Sequence, residues 1–277
     1  MSLLRRPGAV PGPDGRHLSI GPDGRDWKYI AFDVHQLPTG TTLRGDCGDR
    51  ETALIVLGGH ATVHAADEHF TIRGRADVWD RVPPSVLLLS PATPYTVRAD
   101  SDLRLLVTGA EARERRPPRL IRPDQIAVEH RGTGQTARTV QHLLPPSAPA
   151  ERLILVEVYT PAGNWSSFPP HKHDVDDPPR ESELEEIYYF RVDPPRGFAL
   201  QRIYTPDRAL DQTLAVTDGD LVLVPRGYHV VAASPGHACY YLNVMAGRGR
   251  AWNFTLDPDY AALLDWQKPA VAATESS

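Results

Sequence analysis

The chain has almost no cysteine. Cys47 and Cys239 are the only two in 277 residues, which excludes a disulfide framework and any zinc site built on thiolates. A metal ion would have to be held mainly by imidazoles and carboxylates, and eleven histidines are available for that. Long apolar runs are missing as well. With 41 % hydrophobic and 23 % charged residues, no uncharged stretch approaches the roughly 18 residues of a membrane-spanning helix, so no membrane partner is expected. Met1 to Arg16 lacks the apolar core of a secretory signal, and a reducing cytoplasm is the expected location. An excess of positive charge is also absent: 30 Lys and Arg against 35 Asp and Glu give a net charge of −5. That is not the basic footprint of a nucleic-acid binder.

Helical periodicity is scarce too. The best candidate runs from Asp257 through Trp266, with Pro258 at a first-turn position, and the tail Lys268 to Ser277 is expected to be disordered. What the chain does have is strand-and-turn grammar. Gly 21 and Pro 27 lie above the about 12 % joint share of average proteins. They punctuate short apolar runs such as Ala53 to Leu57 before Gly58-Gly59, and Leu221 to Val224 before Pro225-Arg226-Gly227. A mostly β protein of sandwich or barrel type follows, with few short helices. Two anchors repeat at nearly one offset: Glu51 to Gly58 with Glu186 to Phe190, and Val86 to Tyr95 with Leu221 to His229. Two tandem β domains are therefore expected, residues 1–111 and 137–277, joined by the polar, Pro- and Arg-rich segment 112–136.

The sharpest chemical signal is Pro169-Pro170-His171-Lys172-His173-Asp174. Residues i and i+2 of a strand share a face, so His171 and His173 present two imidazoles to one cavity. Glu186 opens the next strand, and His229 follows the turn Pro225-Arg226-Gly227-Tyr228. Glu186 is preferred to Glu185 because it directly precedes the apolar run; Glu185 would face the other way. Three His and one Glu make a first-row metal site that leaves positions open for a substrate.

These residues have the pattern of the cupin superfamily. Further segments extend the likeness: Leu184-Glu185-Glu186-Ile187-Tyr188-Tyr189, Gln201-Arg202-Ile203-Tyr204-Thr205, Gly227-Tyr228-His229, and Tyr240-Tyr241-Leu242-Asn243-Val244-Met245-Ala246-Gly247. Together they resemble the bicupin 5-deoxy-glucuronate isomerases of bacterial inositol breakdown. The resemblance implies two tandem cupin-type double-stranded β-barrels and a divalent ion (Zn, Mn or Fe) on His171, His173, Glu186 and His229. It also implies aldose-ketose isomerisation of the small sugar acid 5-deoxy-D-glucuronate to 5-dehydro-2-deoxy-D-gluconate. A homo-oligomer is left open.

The first half departs from the pattern. Glu51 takes the Glu position, Arg44, Gly45 and Asp46 fill the place of the His pair, and Tyr95 stands for His229. That barrel is expected to be metal-free and to serve as support or subunit contact, with His60, His64 and His69 off the motif. For catalysis, Tyr188 shares the face of Glu186 and is the candidate for proton relay or hydroxyl recognition. Arg202, Arg191 and Lys172 are candidates for the substrate carboxylate, although Lys172 alternates away from the His pair. Gln201 and Tyr241 are candidates for sugar hydroxyls. The acidic stretch from Asp174 to Glu183 reads as a solvated loop or a lid. Competing functions on the same ligands are an iron-dependent cupin dioxygenase, a related uronate ketol-isomerase, and a non-catalytic binding bicupin.

Overall fold

A computed structural model describes residues 2–267; the tail reading for Lys268 to Ser277 falls outside the described residues. Among those residues the strands form four antiparallel sheets, two large and two small. The first large sheet has six strands in the order Arg119–Ile121, Val86–Leu89, Arg50–Gly58, Leu103–Glu111, Ile30–Leu37, Arg16–Ile20. Its small partner runs Thr42–Asp46, Pro94–Ala99, His60–Ala65, Glu68–Arg73. The second large sheet has seven strands, Leu4–Arg5, Leu221–Val224, Leu184–Asp193, Ala238–Gly247, Ile154–Thr160, Arg138–Leu144, Ala127–Arg131. Its small partner runs Asp211–Val216, Ala199–Tyr204, Tyr228–Ala233, Trp165–Lys172, Thr255–Leu256.

Three apolar cores separate these four layers. One fills the first half between its large and small sheets, with Leu54, Val56, Val63 and Val97. A second does the same in the other half, with Tyr188, Phe190, Ile203 and Val231. The third joins the large sheets to each other: Ala53, Ile55 and Leu57 from one meet Ile187, Tyr189, Leu221 and Leu223 from the other. This explains why the central strands read as unbroken apolar runs. A strand covered on both faces has no solvent side to carry polar residues, and Ala53 to Leu57 are all fully buried.

Three details depart from the reading of the sequence. The connection 112–136 contains two strands, Arg119–Ile121 on the first large sheet and Ala127–Arg131 on the second, while Leu4–Arg5 crosses to pair with Leu221 and Val222. The expected C-terminal helix is a 3-10 helix over Pro258–Gln267. Its apolar residues follow no 3.6-residue period and offer no single stripe to bury.

Polar contacts also bind the halves. The Glu185 carboxylate accepts the backbone N–H groups of Lys28, Tyr29 and Ile30 at 2.9, 2.6 and 2.7 Å. Glu51 reciprocates, accepting those of Glu151, Arg152 and Leu153 at 2.7, 3.0 and 3.0 Å. Each Glu thus satisfies backbone donors at the entry to an inner strand of the other half. Between the large sheets, Arg75 and Glu157 form an ion pair whose side chains are fully buried.

Candidate metal centre

The four side chains singled out from the sequence come together at one end of the second core. His171 is the penultimate residue of the strand Trp165–Lys172 and lies opposite His229 on the neighbouring strand. His173 follows that strand, and Glu186 projects from the facing large sheet. The turn that delivers His229 is fixed by its neighbours. Gly227 has φ +94, and a Cβ there would meet the Tyr204 carbonyl oxygen at 2.7 Å, while its N–H donates to Asp174 Oδ2 at 2.7 Å. Lys172 Nζ holds Asp174 and Glu181, at 2.7 Å each, and Glu181 also accepts the N–H groups of Asp174 and Val175.

The imidazoles are oriented by backbone carbonyls. Nδ1 of His173 lies 2.9 Å from the Leu184 oxygen, that of His229 3.1 Å from Gly227 and that of His171 3.4 Å from Pro169. A carbonyl oxygen only accepts, so Nδ1 carries the proton and each Nε2 turns a lone pair inward. The ligating atoms of the three histidines lie within 4.8 Å of one another, and Glu186 Oε2 sits 3.0 Å from His173 Nε2 and 3.1 Å from His229 Nε2. His229 Nε2 is buried with no hydrogen-bond partner.

Four acceptors therefore converge in a largely buried place, an arrangement that calls for a cation at its centre. Burial works against the Glu186 charge, yet the His173 and His229 imidazoles beside it outweigh that and hold the carboxyl at about 2. His173 is lifted by Glu186 in spite of its own burial, whereas burial and the other two imidazoles push His171 well below the usual histidine value. An anionic carboxylate and three imidazoles whose Nδ1–H groups are anchored on carbonyls make the donor set and outer support of a first-row divalent ion.

The centre opens into a cavity of about 480 Å³ whose lining includes His171, Glu186, Tyr188 and Tyr241. Other expected residues lie elsewhere. Arg202 is on the outer side of its strand, bonded to Asp211 through both ends of its fork and stacked on Tyr204 at 4.5 Å. Arg191 is held by Asp218 and Asp77. Lys172 is committed to the two carboxylates described above. Gln201 points to the inner side and is fully buried, with neither amide atom hydrogen-bonded, but it is not part of the cavity wall. Burial, reinforced by Glu186, drives the Tyr188 hydroxyl well above the ordinary tyrosine value, and burial pushes Tyr241 up to about 12.

The wall also contains residues that sequence reasoning missed: Arg131, Arg138, His142, Ser167 and Asn243. Arg138, Val140 and His142 alternate along one strand, so a period-2 reading of that segment would have found a polar face there.

Register corrects the reading of the first half. Tyr95 pairs with Gly45 as His229 pairs with His171, and Thr52 pairs with Leu89 and Gly109 as Glu186 pairs with Val224 and Met245. Thr52, not Glu51, is thus the counterpart of Glu186, and Glu51 is the counterpart of the clasping Glu185. The Tyr95 ring lies directly on Gly45, where a Cβ would come within 2.3 Å of the phenol.

The chain matches the KduI/IolB family over residues 3–263. It is 45 % identical to the 5-deoxy-glucuronate isomerase of Geobacillus kaustophilus over 267 residues, 96 % of this chain and 95 % of that protein. The isomerase of Geobacillus thermodenitrificans is 44 % identical over 256 residues, 92 % and 93 % of the two chains. Among solved structures, an IolB-like protein of Salmonella typhimurium LT2 superposes with a TM-score of 0.92 at 43 % identity, covering 95 % of this chain and all of that one. An oxalate decarboxylase of Lactobacillus farciminis shares the fold alone, with a TM-score of 0.68 at 11 % identity over 92 % and 88 % of the chains. Paired β-sheet halves of cupin type, the converging His and Glu side chains and a match along nearly the whole chain agree: the protein belongs to the KduI/IolB family.

Proposed function

We propose that the protein is a metal-dependent 5-deoxy-glucuronate isomerase, converting the aldehyde sugar acid 5-deoxy-D-glucuronate into the ketone 5-dehydro-2-deoxy-D-gluconate. The observation that carries the chemistry is the convergence of His171, His173, His229 and Glu186 on one point at the end of a cavity with arginines in its wall. Three imidazoles and one carboxylate accommodate zinc, manganese or iron. When bound, such an ion supplies Lewis acidity to the carbonyl and adjacent hydroxyl oxygens of the sugar. A cytoplasmic site of action goes with this reading, and among the described residues no helix is long and apolar enough to cross a membrane.

The chain's own groups then place the rest of the substrate. Tyr188, two residues from Glu186 on the same strand face, donates its O–H to an oxygen at the reacting end, and Tyr241 serves a hydroxyl further along. The carboxylate goes to the arginine wall. Arg131 has both ends of its fork on Glu129, at 2.9 and 2.7 Å. Arg138 is buried and donates to the carbonyl oxygens of Thr136 at 2.9 Å and Phe168 at 3.3 Å. Burial works against its charge, so an arriving carboxylate is favoured there, and a planar fork suits it. Arg138→Lys keeps the charge and loses the fork; KM for the sugar acid should rise about ten-fold, the worth of roughly 1.4 kcal/mol of charged hydrogen bonding, with metal content unchanged. Steady-state kinetics would refute this assignment by showing an unaltered KM.

The whole reading is tested by turnover of 5-deoxy-glucuronate before and after exhaustive chelation. Activity should vanish on chelation, return with added divalent ion and consume no oxygen. Full activity without metal rejects the mechanism, and oxygen uptake points instead to the iron dioxygenase. Appearance of solvent hydrogen at C1 marks a proton-transfer route, and transfer without exchange marks a hydride shift.

A further inference from the structure

The strand Trp165–Lys172 is irregular beside the metal centre. Ser166 sits opposite Val231 and His171 opposite His229, five steps on one strand against two on its partner. Pro169 and Pro170, within the excess, have no N–H to give to the ladder, which is why the strand leaves it here. At the start of the bulge stands Ser167 with φ +49. This is the left-handed region, where a residue other than glycine is strained.

The hydroxyl presented at that turn is shared. Ser167 Oγ lies 3.0 Å from the Tyr188 hydroxyl and 3.1 Å from that of Tyr241. Both tyrosines are buried, their rings are 4.9 Å apart, and the Tyr188 ring meets His229 edge-on at 5.7 Å. All three hydroxyl residues line the cavity.

A serine hydroxyl has one proton to donate and can accept two. If it accepts from both tyrosines, neither phenol proton is available to the cavity. If it accepts from one and donates to the other, the second tyrosine turns its own proton away from Ser167. Glu186, an acceptor on the same strand face as Tyr188, draws that proton toward the metal end. We propose that Ser167 is a positioning residue for the isomerisation, accepting from Tyr241 and donating to Tyr188 so that Tyr188 presents its O–H to the reacting end of the sugar. The bulge and its left-handed residue are the means of bringing one small hydroxyl between two buried phenols. This inference rests on the isomerase reading above.

The test uses Ser167→Gly, because glycine is at ease at this φ and removes the hydroxyl without adding strain. The metal-loaded variant should keep its ion and a thermal midpoint no lower than wild type, while kcat falls about ten-fold with KM within about two-fold, the signature of a contact made in the transition state. In a Tyr188→Phe background the same change should add less than about two-fold, since the two residues act as one unit. A kcat that stays within two-fold of wild type, or effects of the two substitutions that multiply, overturns the proposal. A second readout does not depend on turnover. In protein carrying 13Cζ-tyrosine, the Tyr188 resonance, identified by its loss in Tyr188→Phe, should shift in Ser167→Gly. If the wild type does not isomerise 5-deoxy-glucuronate, the isomerase reading falls and this resonance alone decides: a shift upholds the hydroxyl pairing, and an unmoved resonance rejects it.

Discussion

His229→Ala gives a folded protein that carries no metal and does not isomerise 5-deoxy-glucuronate. The side chain is 0 % exposed and its inward Nε2 has no hydrogen-bond partner of its own, so the imidazole is held in place for something other than packing. Removing it takes one of four donors from a site whose strands are set for four, and the ion should be lost on desalting. The loss of activity should exceed about 10³-fold, because several kcal/mol of transition-state charge stabilisation leave with the ion. Stability behaves differently. Truncating a buried side chain costs roughly 2–4 kcal/mol by cavity formation, but removal of one of four converging acceptors relieves part of the electrostatic cost of the metal-free state. His171→Ala should give the same result for activity. Metal analysis of the wild type should find one ion per chain, since Gly45, Tyr95 and Thr52 stand at the register positions of His171, His229 and Glu186 in the other half. Circular dichroism with metal analysis checks both parts. A variant that lacks metal and keeps full activity would remove the ion from the mechanism.

The ligand positions could be read from the chain because strand alternation is a local rule. His171 and His173 are two residues apart, Glu186 precedes an apolar run and His229 follows a turn that glycine alone fits. The fold class was legible for the same reason, through short apolar runs with turn residues between them. What alternation cannot supply is register between strands that lie far apart in sequence. A slip of one residue changes the face, and that is how Glu51 takes the position of Glu186 when the sequence is aligned, while its carboxylate in fact clasps the other half. It is also how Arg202 reads as a cavity cation although its neighbours Gln201 and Ile203 face inward. Ser167 is invisible to the rule because the bulge suspends it. Arg138 belongs to a strand placed beside the site only by the pairing of Arg138–Leu144 with Ile154–Thr160.

The second large effect lies on the opposite face of the large sheet from the cavity wall of Val156 and Val158, between the two halves. Arg75 from the first half and Glu157 from the second meet with their side chains fully buried. Arg75 Nη1 also donates to the Tyr159 hydroxyl at 2.9 Å and the Val82 carbonyl oxygen at 3.0 Å, and Tyr240 donates to Glu157 at 2.5 Å. Burial works against the arginine charge, but Glu157 holds its pKa above the usual value. Arg75→Met leaves a buried carboxylate with the Tyr240 hydroxyl but no opposite charge beside it, a change that costs about 3–5 kcal/mol. Glu157→Leu leaves the guanidinium in the same position and should cost as much. The double variant should recover most of the loss, since an apolar pair of similar volume is often as stable as a buried ion pair. The pair lies in the layer that glues the large sheets, so its failure should loosen both halves together. The shift in the urea transition of the metal-loaded protein measures the effect, and the double-mutant cycle isolates the pair. A single substitution costing less than about 1 kcal/mol, the worth of an exposed ion pair, would show that the apolar contacts between the sheets hold the halves without it.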